Sequence, residues 1–259
     1  MHKVNRVNHV QKILSIDSAL RTNGTASDFD IDVAIPKSNA FNKCSIVMTE
    51  MFKSWYTLDS TTTNSFIYND AVVGTKTVTV ASNIIYDSAS FGVELQSKLK
   101  TASGETGVGA LGFTVTRNPS TGKFIFTHPS LIFSIQATNE MAKYMGFKNN
   151  VTQFSVFSSG KDVIVSPNVI NMQRYDTLSI KASGIQNNGD NVLVRLYPSG
   201  VANFGTFGFS SYDSTNNAVT VEDSNMNSMH ISVHDNYGKS INLNGINWRM
   251  VVTFFNSAD

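Results

Sequence analysis

Apolar residues in this chain recur at every second position in short runs, and only rarely every third and fourth. Phe29, Ile31, Val33 and Ile35 alternate with Asp30, Asp32 and Ala34. That spacing puts one set on the buried face of a strand and leaves the other in water. Pro36 ends the run. The segment from Cys44 to Phe52 is longer and apolar in both phases, as expected of a central strand covered on both faces. The same texture returns at 76–80, 112–116, 123–126, 177–180, 192–196, 230–234 and 248–255. Clusters of Asn, Gly, Asp and Pro separate these runs, and Arg117-Asn-Pro-Ser-Thr-Gly122 reads as the connection of a hairpin. Many short strands with turn signals between them predict an all-β sandwich or barrel, and the lack of regular strand and helix alternation argues against a doubly wound sheet.

Two stretches predict helix. Ser88 is placed to cap a segment running from Ala89 to Lys100, in which Phe91, Leu95 and Leu99 fall on one face. Thr138 or Asn139 is placed to cap Glu140–Met145, and Gly146 supplies the left-handed residue that ends it. Neither is long enough to organise the fold. No repeat with a period of 20 to 50 residues emerges, which disfavours solenoids and propellers. The expectation is one domain over residues 13–259, elaborated by an internal segment at about 83–150.

Composition narrows the function. Of 259 residues, 31 are Ser, 23 Thr and 27 Asn, while only 15% are charged and the formal net charge is +1. A protein that coats duplex nucleic acid needs several uncompensated cations on one face, so no sequence-specific nucleic-acid partner is expected. Cys44 is the single cysteine, so no intrachain disulfide forms, and no secretory leader opens the chain. The expectation is a soluble protein assembled in the cytoplasm or nucleus and not secreted. Residues 1–12 carry Lys3, Arg6 and Lys12 and no acid, against a body of net charge −2. They read either as a frayed terminus or as a basic arm that docks on a neighbouring subunit or an anionic surface.

The usual signatures of catalysis are missing. The chain has no phosphate-binding lysine loop, nucleophile elbow, zincin helix or paired-cysteine knuckle. Gly104, Gly107, Gly109 and Gly112 do not lead from a strand into a helix, so they form no phosphate cradle. His230 and His234 alternate with Ile231 and Val233, and on a strand their rings stand ~13 Å apart, too far to share an ion. They are expected at a solvent-facing strand edge. His128, ahead of Pro129, has no acid near it in sequence. Asp28, Asp30 and Asp32 lack the glycine and glutamate of a Ca²⁺ loop and read as the wet face of their strand. Cys44, in an apolar run, is expected to be an inert buried thiol. No catalytic, cofactor-binding or metal-binding residue is assigned, and an enzyme is the least favoured class.

Several phrases occur in an order that carries a resemblance. Ser15-Ile-Asp-Ser18, Arg21-Thr22 and Ser27-Asp-Phe-Asp30 open the chain; Ile231-Ser-Val-His-Asp235, Gly238, Ile241-Asn-Leu-Asn-Gly245 and Trp248 close it. Together they resemble the jelly-roll minor capsid and penton proteins of large double-stranded DNA viruses, virophages and Polinton-like viruses. The helix after Tyr86 and the Tyr144-Met-Gly-Phe147 phrase are similar to an internal segment that many of these proteins carry. The resemblance implies a single jelly-roll sandwich elaborated by an internal segment with two short helices, and a structural place in the virion. In that reading the chain is a penton that closes the fivefold vertices as a homopentamer. Its partners are then itself, the major capsid protein and other minor capsid proteins, with Lys3, Arg6 and Lys12 facing an internal membrane or a capsid neighbour.

Two other readings stand beside it. A cement-type minor capsid protein shares the jelly roll. A receptor- or carbohydrate-binding sandwich of a viral fibre or spike has the same fold class, but a fibre head usually carries a coiled-coil or repetitive stalk, and this chain shows neither heptads nor repeats.

Overall fold

A computed structural model describes residues 11–35, 41–105, 112–186, 190–211, 217–222 and 226–257. The chain divides into two compact units: unit 1 comprises Met1–Trp55 with Tyr175–Asp259, and unit 2 is Tyr56–Arg174. Every strand pair among the described residues is antiparallel. No helix among them is long and apolar enough to cross a membrane.

Unit 1 begins with β1 (Gln11–Asp17), one tight helical turn at Ser18–Leu20, β2 (Asn23–Thr25), β3 (Asp28–Asp32) and β4 (Lys43–Phe52). Unit 2 follows with β5 (Ser65–Asp70), β6 (Gly74–Thr79), α1 (Ser88–Ala102), β7 (Thr114–Arg117), β8 (Phe124–His128) and β9 (Phe133–Ala137). It continues through α2 (Asn139–Met145), β10 (Val151–Phe154), β11 (Val156–Ser158) and β12 (Lys161–Val165). The chain returns to unit 1 with β13 (Leu178–Ala182), β14 (Ile185–Gln186), β15 (Val192–Leu196), β16 (Thr206–Ser210), β17 (Val219–Val221), β18 (Ser228–Asp235) and β19 (Arg249–Phe255).

In unit 1 one sheet runs β1-β19-β4-β17-β14, with β16 also paired to β4, and the other runs β15-β13-β18-β3-β2. The period-two pattern explains the core: Phe29, Ile31, Val33 and Ile35 are all buried, and the aspartates between them face outward. β4 is central as expected, held by β19 on one side and by β16 and β17 on the other. Its Cys44, Ile46 and Met51 join Ile180, Ile231, Val233, Met250, Val252 and Phe254 in one apolar core. Trp248 closes that core, its ring edge-on to Phe29 with centroids 6.0 Å apart and its Nε1 donating to the Ala26 carbonyl at 2.6 Å.

Unit 2 is a second sandwich with its own core. Its sheets run β10-β9-β5-β6 and β11-β12-β8-β7. Phe66, Tyr68 and Ile135 from one sheet meet Phe124, Phe126 and Ile164 from the other, and Phe91, Leu95 and Leu99 of α1 complete the cluster. The limits of this unit, 56–174, are wider than the 83–150 expected from the helix signals. β5 and β6 belong to the sheet of β9, and β11 and β12 to the sheet of β8, so the strands before and after the helices cannot be separated from them.

Both helices form where expected, with a change at each N-cap. Asp87, not Ser88, caps α1: its carboxylate accepts the N–H groups of Ala89 at 3.0 Å and Ser90 at 2.7 Å, and its own N–H donates to Ser90 Oγ at 3.0 Å. The reciprocal box satisfies three donors at once. The Ser90 hydrogen bonds hold the Asp87 carboxyl below its ordinary range. Thr138 stands at the N-cap position of α2 but its side chain makes no capping hydrogen bond, so the expected side-chain cap does not form, and Gly146 ends the helix at φ +72°.

Candidate functional site

The sequence assigned no reacting group, and the positions that could carry chemistry fall into three buried or surface clusters. The first lies on β3 and β18. His230 stands directly opposite Asp30 in the register, with Nδ1 2.9 Å from Asp30 Oδ1 and Nε2 3.1 Å from Asp28 Oδ1. A ring with a carboxylate at each nitrogen donates to both only as the imidazolium. Asp32 remains exposed on the same wet face. The strand-edge expectation for His230 and His234 is corrected: β18 lies inside its sheet, between β13 and β3, because its alternate Met229, Ile231 and Val233 are needed in the core. The histidine face is nevertheless the solvent-facing one. His234 is held within its own strand end, Nδ1 donating to the Gly238 carbonyl at 2.9 Å and Nε2 accepting from Ser232 Oγ at 2.8 Å.

The second cluster is buried in unit 2 and was missed in the sequence. His128 is almost fully buried, and its Nε2 lies 2.5 Å from Glu105 Oε1. Its Nδ1 accepts the Ser130 N–H at 3.2 Å, which fixes the proton on Nε2 and makes that nitrogen the donor to Glu105. Glu105 Oε2 accepts the Phe113 N–H at 3.3 Å, so one carboxylate just past α1 holds both the residue ahead of β7 and the last residue of β8. Nearby Asp70 accepts the N–H groups of Val72 and Val73, each at 2.7 Å, and the Tyr68 hydroxyl. Burial first, and then the Asp70 carboxylate, push the Tyr68 phenol far above its ordinary range. A histidine beside an acid is two thirds of a nucleophilic triad, but Ser130 offers His128 only its backbone N–H. Among the described residues no hydroxyl or thiol is aligned on that ring.

The third cluster is a groove of about 320 Å³ on unit 1, where Lys181 pairs with Asp190 at 3.2 Å beside Arg195 and the exposed Tyr197. A wider hollow of about 540 Å³ next to it shares Asp190 and Arg195. Both are open; Ser179 and Asp235 line the smaller one, where the Asp235 carboxylate accepts the N–H groups of Tyr237 and Lys239, each at 2.9 Å. Cys44 is fully buried, and burial pushes its thiol up to about 12, which leaves it no thiolate at neutral pH. Among the described residues no three His, Cys, Asp or Glu side chains are placed to hold a metal ion.

Of the basic residues assigned to the N-terminal arm, Lys3 and Arg6 lie outside the described residues. Lys12 is in β1: its backbone is in register with Phe254, and its Nζ donates to the Ala34 carbonyl. The strand therefore begins at least two residues before Ile13, and Lys12 is committed to unit 1.

The carboxylates and histidines of these clusters satisfy one another or the backbone. No protein-family model matches the chain, and no curated protein matches it. Among solved structures it is similar to the selenomethionine-labelled penton protein of mavirus, with a TM-score of 0.61 at 12% sequence identity. The match covers 96% of this chain and 99% of that one. The likeness shows the fold: a jelly-roll-like β-sandwich built of antiparallel sheets with two helices.

Proposed function

We propose that the chain is a structural protein of a virion, the penton that closes each fivefold vertex of an icosahedral capsid as a homopentamer. The observation that carries this reading is end-to-end likeness of fold. The alignment spans both chains almost completely, so unit 2 as well as the sandwich of unit 1 has its counterpart in a penton protein. The internal chemistry supports a non-enzymatic role, because the buried ionisable groups are spent on holding loops and strand ends. Low charge also suits lateral packing, since like-charged subunits repel across short distances. In the capsid its neighbours are the major capsid protein and other minor capsid proteins, and assembly takes place inside the host cell. Native mass spectrometry and electron microscopy of the purified chain test the reading. Rings with fivefold symmetry are expected, and a trimer or a persistent monomer overturns it in favour of a fibre or cement role.

A further inference from the structure

Both sheets of unit 2 end on one side in a single continuous segment. β10 is the edge of one sheet and β11 the edge of the other, and only Ser155 separates them. This corner is apolar and open: Phe154 is 71% exposed, Val156 68% and Phe157 71%, and Val165 on the neighbouring β12 is 52% exposed. From Val151 to Gly160 there is no charged residue and no proline. Strand edges that face solvent are ordinarily guarded by lysine, proline or a bulge, because their free backbone groups recruit other strands. The opposite edges of the same two sheets follow that rule, with exposed Lys76 on β6 and exposed Arg117 on β7. At 150–250 Å² per aromatic side chain, the corner presents on the order of 400 Å² of apolar surface, about half of what each partner gives to a stable interface.

The opposite flank offers a matching face. There α1 packs along β6 and β7, and its outward stripe is Ala89, Val93, Ser97 and Thr101, all exposed and none charged. Val93 is 71% exposed. A closed ring is built from heterologous contacts, in which one flank of a subunit meets the other flank of the next. The two flanks of unit 2 meet that requirement: bulky apolar knobs on one side and small uncharged residues on the other.

We infer that the β10–β11 corner of each subunit packs on the outward face of α1 in the next copy of this chain, and that this contact closes the ring. The inference rests on the ring proposed above and names its contact. Two variants of the full chain test it. In the first, F154D/F157D, the exposed positions leave the subunit folded with an unchanged melting midpoint, while native mass spectrometry reads a shift from rings to monomers. In the second, V93C/F157C, oxidation is expected to give a ladder of covalent multimers on a denaturing gel. Neither single-cysteine variant is expected to give it, and buried Cys44 takes no part. If F154D/F157D fails to fold, the cysteine pair decides alone. Wild-type rings that neither cross-link nor dissociate on substitution overturn this contact and leave the ring standing, whereas a wild-type chain that stays monomeric overturns both.

Discussion

Arg174 reaches back to Asp59, closing unit 2 at its two ends: Nη2 lies 2.5 Å from Asp59 Oδ2, and Nη1 donates to the Tyr56 carbonyl at 3.0 Å. The residues where the chain leaves unit 1 and where it re-enters are thus joined by one guanidinium. Both side chains are largely buried, at 10% and 20% exposure. Removing one partner of such a pair leaves the other without its compensation. Arg174→Met is therefore expected to lower stability by about 1–3 kcal/mol, measured by urea denaturation.

The same pair sets a limit on the acid side. Burial alone would raise the Asp59 carboxyl, but hydrogen bonds from Thr61 and Arg174 outweigh it and hold the group below its ordinary value of 3.8. A carboxyl depressed on folding contributes stability above its unfolded pKa and loses it as pH falls through the folded one. The contribution is then complete at neutral pH and fades only below about pH 4. In Asp59→Asn the melting midpoint should be lower at pH 7 and converge on that of the wild type at the acid end. Parallel curves for the two proteins across pH 2.5–7 would show that Asp59 is not the group responsible.

Gly112 and Glu105 make a second pair whose coupling can be measured. A Cβ at position 112 would stand 1.6 Å from Glu105 Oε2, and that oxygen cannot move without releasing the Phe113 N–H, nor the carboxylate turn without disturbing His128. Gly112→Ala is expected to cost about 1–3 kcal/mol, the range for a buried group deprived of its hydrogen bonds. In a Glu105→Ala background the methyl has room, so the glycine substitution should cost less there. A double-mutant cycle should return a coupling of on the order of 1 kcal/mol. Simple additivity would show that the methyl is accommodated elsewhere.

What could be read in the sequence was what periodicity encodes. The alternation at Phe29, Ile31, Val33 and Ile35 fixed a face, and all four are buried. The two-phase run at Cys44 marked the central strand, and Gly146 marked a helix end, because a left-handed residue has a compositional signature. Contacts between distant residues have none. Glu105 and His128 are 23 residues apart, and His230 and Asp30 are 200 apart. The second pair follows from the register of β3 on β18, which no single strand reveals. The corner at Val151–Ser158 carries no strand signal either: its apolar residues at 151, 154, 156 and 157 keep no period of two, since the chain passes from one sheet to another at Ser155. The extent of unit 2 has a related cause: β5 and β6 precede the helical segment and β11 and β12 follow it, and they join it only through pairing with β9 and β8.

The last prediction concerns the basic arm, whose boundary the structure moves. Truncation through residue 12 would remove two residues of β1 that are in register with Phe254 and Phe255, together with the Lys12 ammonium that caps the Ala34 carbonyl. A loss of stability in that variant would say nothing about docking. Truncation of residues 1–10 keeps Gln11–Asp17 of β1 and still removes Lys3 and Arg6. Near an anionic surface each cation contributes about 1 kcal/mol, and two of them therefore weaken attachment by up to about 2 kcal/mol when lost. Screening over roughly 8 Å at physiological salt requires that contact to be close. The truncated chain is expected to keep the wild-type melting midpoint and to enter particles at a reduced level, with the deficit shrinking as salt is raised in a reconstituted assembly. Incorporation equal to wild type at low salt would return the arm to the status of a frayed terminus.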